Sequence, residues 1–290
     1  AYGVHDLGFG AEYLIPKPFD PRLMMRIAPA VAAAAMASGV ATRPIEDLDA
    51  YRDQLQQFVY HSGTFMKPIF ATAKKAVAEG GRARVVFCEG EDERVLRAVQ
   101  VVLDEGIARP VVIARPAVLE RRLERFGLRM KAGRDFEVVN PESDPRYRDY
   151  WRSYHEMTAR RGVTEQYAKI EMRRRLTLIG AMMIAKNDAD GMICGTFGAH
   201  DLHLQYIDQV IGRRPGANVY AAMNILMLPG RQIAIADTHV NVDPTAAEIV
   251  EIAVLAAEEL QRLGITPRVA LLSHSNFGSS RAPSAEKMRQ

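Results

Sequence analysis

The residues 268–281, Arg-Val-Ala-Leu-Leu-Ser-His-Ser-Asn-Phe-Gly-Ser-Ser-Arg, carry the chemistry needed to hold an anion. Ser273, Ser275 and Ser279 supply hydroxyl donors, and Gly278 would let the backbone approach a phosphate closely. The apolar residues 269–272 just ahead read as a β-strand. In an open α/β sheet, ligands bind beyond the carboxyl ends of the strands, so a loop of this kind is where phosphates land. The same string also fits a plain Ser/Gly turn joining strand to helix.

Three further loops have the same placement. Residues 88–94, Cys-Glu-Gly-Glu-Asp-Glu-Arg, follow a strand and open a helix, where capping by Asp92 and Glu93 is the plain explanation of the acids. Residues 195–201 put two glycines and Thr196 ahead of another helix, which suits an anion or a diphosphate. Residues 237–243 begin with Asp237 and precede the longest helical pattern. Each motif is weak alone; four at successive strand ends imply a shared cleft. His200 and His203 have no third ligand at suitable spacing, and His239 and His274 read as packing or hydrogen-bonding residues, so no metal site is expected.

These loops need elements to position them. Strands are expected at 85–87, 110–114, 136–139 and 191–194, with helices at 92–104, 117–126, 144–160, 164–173, 176–186 and 200–211. Thr164 is an N-cap residue for the fourth of these helices. A hairpin is expected from 219–228 and 232–236 around Pro229-Gly230, then an amphipathic helix over 245–263. Strands alternating with helices predict an α/β fold, a layered and mostly parallel sheet with helices on both faces. Ahead of it lie a proline-punctuated loop at 9–22, a helix at 21–38 stopped by Gly39, and helices at 46–59 and 68–78. The organisation expected is therefore 1–45, a helical linker at 46–80, and the α/β part at 81–290.

Composition narrows the function classes. Of 290 residues, 48% are hydrophobic and 25% charged, an ordinary globular balance. The net charge of +3 is too small to argue for nucleic acid. No apolar run approaches the ~20 residues that cross a bilayer. Cys88 and Cys194 read as separate buried thiols of a reducing compartment, which points to the cytoplasm. Ala1 is not a start methionine and 283–290 opens a helix that stops, so the sequence reads as a fragment of a longer protein.

The motifs together resemble the phosphate acetyltransferase family, which moves acetyl between coenzyme A and phosphate. The matching runs are 86–96, 161–165, 180–183, 188–195, Ala236-Asp237 and 267–279, in that order. The resemblance implies two subdomains with the ligand cleft between them, and a homodimer or higher assembly. The first 45 residues, through Phe9-Gly-Ala-Glu-Tyr-Leu-Ile-Pro-Lys-Pro and 38–44, resemble instead the tail of a bacterial malic enzyme. One chain with both is similar to the multidomain NADP-dependent malic enzymes. Those oxidatively decarboxylate malate with NADP and a divalent metal upstream, and end in a domain that binds acetyl-CoA as an inhibitory effector.

Departures from the active transferases favour holding over reacting. Their Ser-Thr-Ala-Asp stretch is matched by Ala199-His200-Asp201-Leu202, and a following arginine by Gln205, which cannot replace its charge. Asn276-Phe277 stands where threonine and then lysine are favoured. The contacts expected for the coenzyme or its phosphates are Ser273, Ser275, Asn276, Gly278 and Ser279, with Arg160, Arg161, Thr196, Gln205 and Asp237 around them. No catalytic residue is assigned. The alternatives are a working phosphate acetyltransferase, with charge supplied by Arg213 or Arg214, and a purely structural oligomerisation module.

Overall fold

The computed structural model describes residues 21–59, 62–79, 81, 83–228, 231–276 and 278–290. The expectations for residues 1–20, for the Pro229-Gly230 turn and for Phe277 lie outside them. The chain divides into two compact units. One runs through Ile69 and includes Asn224–Ile235; the other takes Phe70–Met223 and Ala236–Gln290.

In the first unit, α1 (Pro21–Ala37) begins at a proline, tolerated at a helix start because its missing N–H is unneeded there. Gly39 ends it at φ +75°, with Gly39 N–H on Met36 O and Val40 N–H on Ala35 O. That pairing is the left-handed helix stop that glycine adopts without a Cβ penalty. Two more helices follow, α2 (Leu48–Val59) and α3 (Ser62–Ala78), the latter belonging to the second unit from Phe70 onward. The third starts earlier than expected and carries Pro68 inside it.

The second unit is built on four parallel strands in the order β3-β2-β1-β4. They are β1 (Arg84–Phe87), β2 (Arg109–Ile113), β3 (Glu137–Val139) and β4 (Gly191–Ile193). Alternation along the strands sorts the core into two faces. Val86, Cys88, Val111 and Ile113 pack with Tyr150, Trp151, Tyr154, Met172, Leu178 and Met182. These come from α6 (Tyr147–Thr158), α7 (Glu165–Arg174) and α8 (Leu176–Ala185), and Tyr206 of α9 (His200–Val210) joins them. On the other face, Phe87, Val112 and Ala114 meet α4 (Glu93–Glu105) and α5 (Pro116–Arg125). α8 is buried on all sides, which its nearly uninterrupted apolar run dictates.

Local chemistry sets the helix ends where it was expected to. Asp92 caps α4 by accepting the Arg94 N–H at 2.9 Å. Thr164 caps α7 through the Tyr167 N–H. Thr245 and Glu248 form a reciprocal capping box on α10 (Ala246–Arg262). The expected helix at 144–160 is shorter, ending at Thr158 and followed by a 3-10 turn over Ala159–Arg161.

Two strand expectations need correction. The hairpin exists as β5 (Met223–Leu228) and β6 (Arg231–Ala236), but residues 219–222 do not join it. The Ala222 N–H donates to Asp237 and the Tyr220 carbonyl accepts from Asn241, so loop side chains take the groups a ladder would use. Residues 269–272 form no strand; their backbone pairs with no described neighbour, and Leu272 is 80% exposed. β-forming residues make a strand only where a partner strand offers the other half of the ladder. A short helix, α11 (Pro283–Lys287), closes the described chain.

Gly90 fixes how the first strand turns off the sheet. A Cβ there would lie 2.1 Å from Val112 Cγ1 and 2.7 Å from the Ile113 carbonyl. Gly90→Ala should therefore cost ~2–3 kcal/mol through forced repacking. Urea denaturation checks this; an unchanged midpoint would contradict the tight packing.

Candidate functional site

The register of β1 on β4, Phe87 opposite Ile193, brings their following loops side by side. Glu89, only 3% exposed, spans the gap. Its carboxylate accepts the Gly195 N–H at 3.0 Å and the Thr196 hydroxyl at 3.4 Å. Arg94 donates to the Thr196 carbonyl at 3.3 Å while pairing with Asp92, whose carboxyl it holds below the usual range. Thr196 is thus turned toward Glu89. Across from it, Glu91 holds the Arg115 side chain at 2.8 Å and also caps the Arg115 N–H.

The loop after β4 is stiffened by His203. Its Nδ1 lies 2.6 Å from the Thr177 hydroxyl and its Nε2 2.8 Å from the Phe197 carbonyl. Gly198, at φ +97°, would put a Cβ 3.1 Å from that Nε2. At the start of α9, His200 stacks edge-on against His239, with centroids 4.9 Å apart, which joins this loop to residues 237–243. Among the described residues, no three His, Cys, Asp or Glu side chains are arranged to hold a metal.

Asp237 organises its own loop. Its carboxylate accepts the N–H groups of Ala222 at 2.9 Å and Asn241 at 2.6 Å, the Asn241 amide at 2.6 Å, and the longer Val240 and His239 N–H groups. Burial pushes the carboxyl up, but these donors outweigh it and bring the pKa down to about 2. Its oxygens are spoken for by the protein itself. From the same loop, Asp243 pairs with Lys287 of α11, which brings in the serine loop.

That serine loop is folded on itself. Ser273 Oγ accepts the Ser275 N–H at 3.1 Å and Ser275 Oγ accepts the Ser280 N–H at 3.0 Å. The Ser279 N–H goes to the Asn276 carbonyl at 3.0 Å. Three of the loop's backbone amides, those of Ser275, Ser279 and Ser280, are therefore used internally. Ser273 and Ser275 act here as acceptors, which leaves their hydroxyl hydrogens to donate. Gly278, at φ +78°, is faced by Arg289, which donates to the Gly278 and Ser280 carbonyls. Sequence reading missed Arg289 because it lies on the next helix end, with no motif to mark it.

The remaining expected residues stand apart. Gln205 is exposed on α9, and its side chain makes no hydrogen bond to a described residue. Arg160 and Arg161 belong to the exposed 3-10 turn beyond α6, and no described residue forms an ion pair with either. Arg213 donates to the Asn218 carbonyl and lies over Tyr220, and Arg214 pairs with Glu258. A small cavity of about 10 Å³, room for one water, lies elsewhere, beyond β3 between Asn140, Tyr147 and Tyr150. Cys88 and Cys194, expected as separate buried thiols, instead follow paired residues on adjacent strands, and Cys194 is only partly buried.

Residues 64–290 match the family of phosphate acetyl/butaryl transferases. Over all 290 residues the chain is 54% identical to an NADP-dependent malic enzyme of Salmonella typhimurium, and covers 38% of that protein. It is 52% identical to an NAD-dependent malic enzyme of Rhizobium meliloti, of which it covers 37%. The chain thus spans less than two-fifths of the length of these curated relatives. A phosphotransacetylase structure from Streptococcus pyogenes superposes with a TM-score of 0.62 at 30% identity, over 71% of this chain and 62% of that one.

The amide donors favour ionised Asp237, so its contribution is complete above the ordinary carboxyl range and is lost as pH falls toward 2. Asp237→Asn should lose ~1.5–3 kcal/mol at pH 7, as expected for hydrogen bonds to a charged group. The deficit relative to the parent should shrink between pH 4 and pH 2. Denaturation curves at several pH values read both; a deficit independent of pH would contradict the assignment.

Proposed function

The chain belongs to the phosphate acetyl/butaryl transferase family, and we propose that it serves as the acetyl-CoA-binding regulatory domain of a malic enzyme. In that reading, a malic enzyme part outside this chain oxidises and decarboxylates malate to pyruvate with NADP and a divalent metal. Acetyl-CoA held here restrains that reaction, in a homo-oligomer. A coupling of ~1–3 kcal/mol between the two sites is enough for useful inhibition.

One observation carries the reading: the neutral, exposed Gln205, together with the engagement of both nearby arginines. An arginine would hold phosphate by a bidentate charged contact, worth ~1.5–3 kcal/mol, which an amide cannot match. Arg213 and Arg214 are tied to the Asn218 carbonyl and to Glu258, so neither is free to supply the missing charge. Without it the phosphate half of the transfer is slowed roughly ten- to a hundred-fold or more. The coenzyme half needs hydroxyl donors and cations for its phosphates. Ser273 and Ser275 retain their hydroxyl hydrogens, with Asn276, Gly278 and Ser279 beside them, and Arg160 and Arg161 have no ion-pair partner among the described residues. Thr196 and Asp237 shape the neighbouring loops more than they face a ligand.

A second reading, a working phosphate acetyltransferase fused to the dehydrogenase, draws on Arg289. Its guanidinium beside Gly278 is a cation that the motif comparison had not supplied.

Isothermal titration of acetyl-CoA into the full-length protein, with acetyl phosphate formation assayed on the same sample, separates the two. Saturable binding without acetyl transfer is expected. Ser275→Ala should weaken that binding several-fold, and Gln205→Arg should tighten inorganic phosphate binding about tenfold or more. Turnover to acetyl phosphate would overturn the regulatory reading in favour of the second.

A further inference from the structure

We propose that Cys194 is a site of reversible oxidation by hydroperoxides, with Cys88 as the thiol that resolves the product to an intramolecular disulfide. The sheet register produces the pair. β1 and β4 run parallel with Phe87 opposite Ile193, and the Cys88 N–H continues the ladder onto the Ile193 carbonyl at 3.0 Å. The next residues on the two strands are Cys88 and Cys194, one beside the other. Neighbouring strands lie ~4.8 Å apart, inside the ~4.4–6.8 Å Cα separation that a disulfide spans. Each thiol shifts the titration of the other, Cys194 downward and Cys88 upward.

Their surroundings divide the roles. Cys88 is fully buried, its sulfur against α8 so tightly that a Cβ on Gly180 would sit 2.6 Å from it. Cys194 is half-exposed at the mouth of the loop that follows β4. The groups facing Cys194 are Cys88 from β1, Glu89 just beyond it, His203 from α9 and Thr177 from α8. The hydrogen bond from Cys88 does most to stabilise its thiolate. Burial and Glu89 oppose this, His203 and Thr177 assist, and the Cys194 pKa settles at about 7. Cys88 is driven the other way, up, by the same contact and by burial. A partly exposed thiolate next to a protonated, sheltered thiol is the arrangement of a reactive cysteine and its resolving partner.

The chemistry balances with a hydroperoxide as the oxidant. The Cys194 thiolate attacks the peroxide oxygen, the O–O bond breaks, and sulfenic acid forms as hydroxide or alkoxide leaves. The Cys88 sulfur then attacks the Cys194 sulfur; the S–O bond breaks and water departs with the Cys88 proton. Two electrons pass from the two thiols to the peroxide. A thiol reductant reverses the change by exchange through Cys194, the accessible sulfur. The new bond would lie one residue before the Glu89–Gly195 bridge, at the root of both loops.

The test is peroxide treatment of the full chain at pH 7, followed by differential alkylation and peptide mass spectrometry. The expected product has lost two hydrogens, carries a Cys88–Cys194 link within one chain, and reverts with dithiothreitol. Cys88→Ala should stop at a sulfenic acid on Cys194 that dimedone captures, and Cys194→Ser should leave Cys88 reduced. On the unmodified protein, iodoacetamide should label Cys194 at least tenfold faster than Cys88, a measurement independent of whether either variant folds. Links only between chains, oxidation of Cys88 in Cys194→Ser, or faster labelling of Cys88 would each overturn the proposal.

Discussion

The parallel pairing of β1 with β4 is the constraint on which the site depends. With Phe87 opposite Ile193, every residue beyond the strand ends meets its counterpart in order: Cys88 beside Cys194, Glu89 on Gly195 and Thr196, and Arg94 on the Thr196 carbonyl. A slip of one residue would turn these side chains to the opposite face, and the core would lose Val86 and Cys88 from one side and Phe87 from the other. Gly90 and Gly180 hold the register from above and below. The first lets the chain leave β1 against Val112, and the second lets α8 lie on the Cys88 sulfur.

Charge then closes the loops. The carboxylates of Glu89, Glu91, Asp92 and Asp237 each take backbone N–H groups that would otherwise be free to meet an anion. Loops that look like phosphate cradles in sequence are partly filled by the protein's own acids. Hydroxyl hydrogens of the serine loop, and guanidinium groups that no described acid pairs, remain to donate. In the proposed reading that inventory serves the phosphates of a coenzyme, whereas an inorganic phosphate is small and needs several charged donors converging on one point.

Much of this was legible in the sequence because its causes are local. The caps at Asp92 and Thr164, the helix stop at Gly39 and the alternation in β1 and β2 all depend on a few adjacent residues. The failures were non-local. Residues 269–272 have β-forming side chains but no ladder partner, and nothing in their own sequence reports that. Residues 219–222 lost their strand to Asp237 and Asn241, which lie fifteen or more residues away in the chain. The pairing of Cys88 with Cys194 required the strand order, and the approach of Arg289 to Gly278 required the fold of the final turn. The site was legible as loops but not as contacts: the serine loop was found, whereas its use of its own amides was not.

Hydrogen exchange of the full-length protein, with and without acetyl-CoA, tests the central claim most directly. The account predicts slower exchange at 273–281, which carries the free hydroxyl donors, and at 195–198, which the Glu89 bridge ties to β1. Protection confined to other surfaces, with both loops exchanging at the unliganded rate, would contradict it.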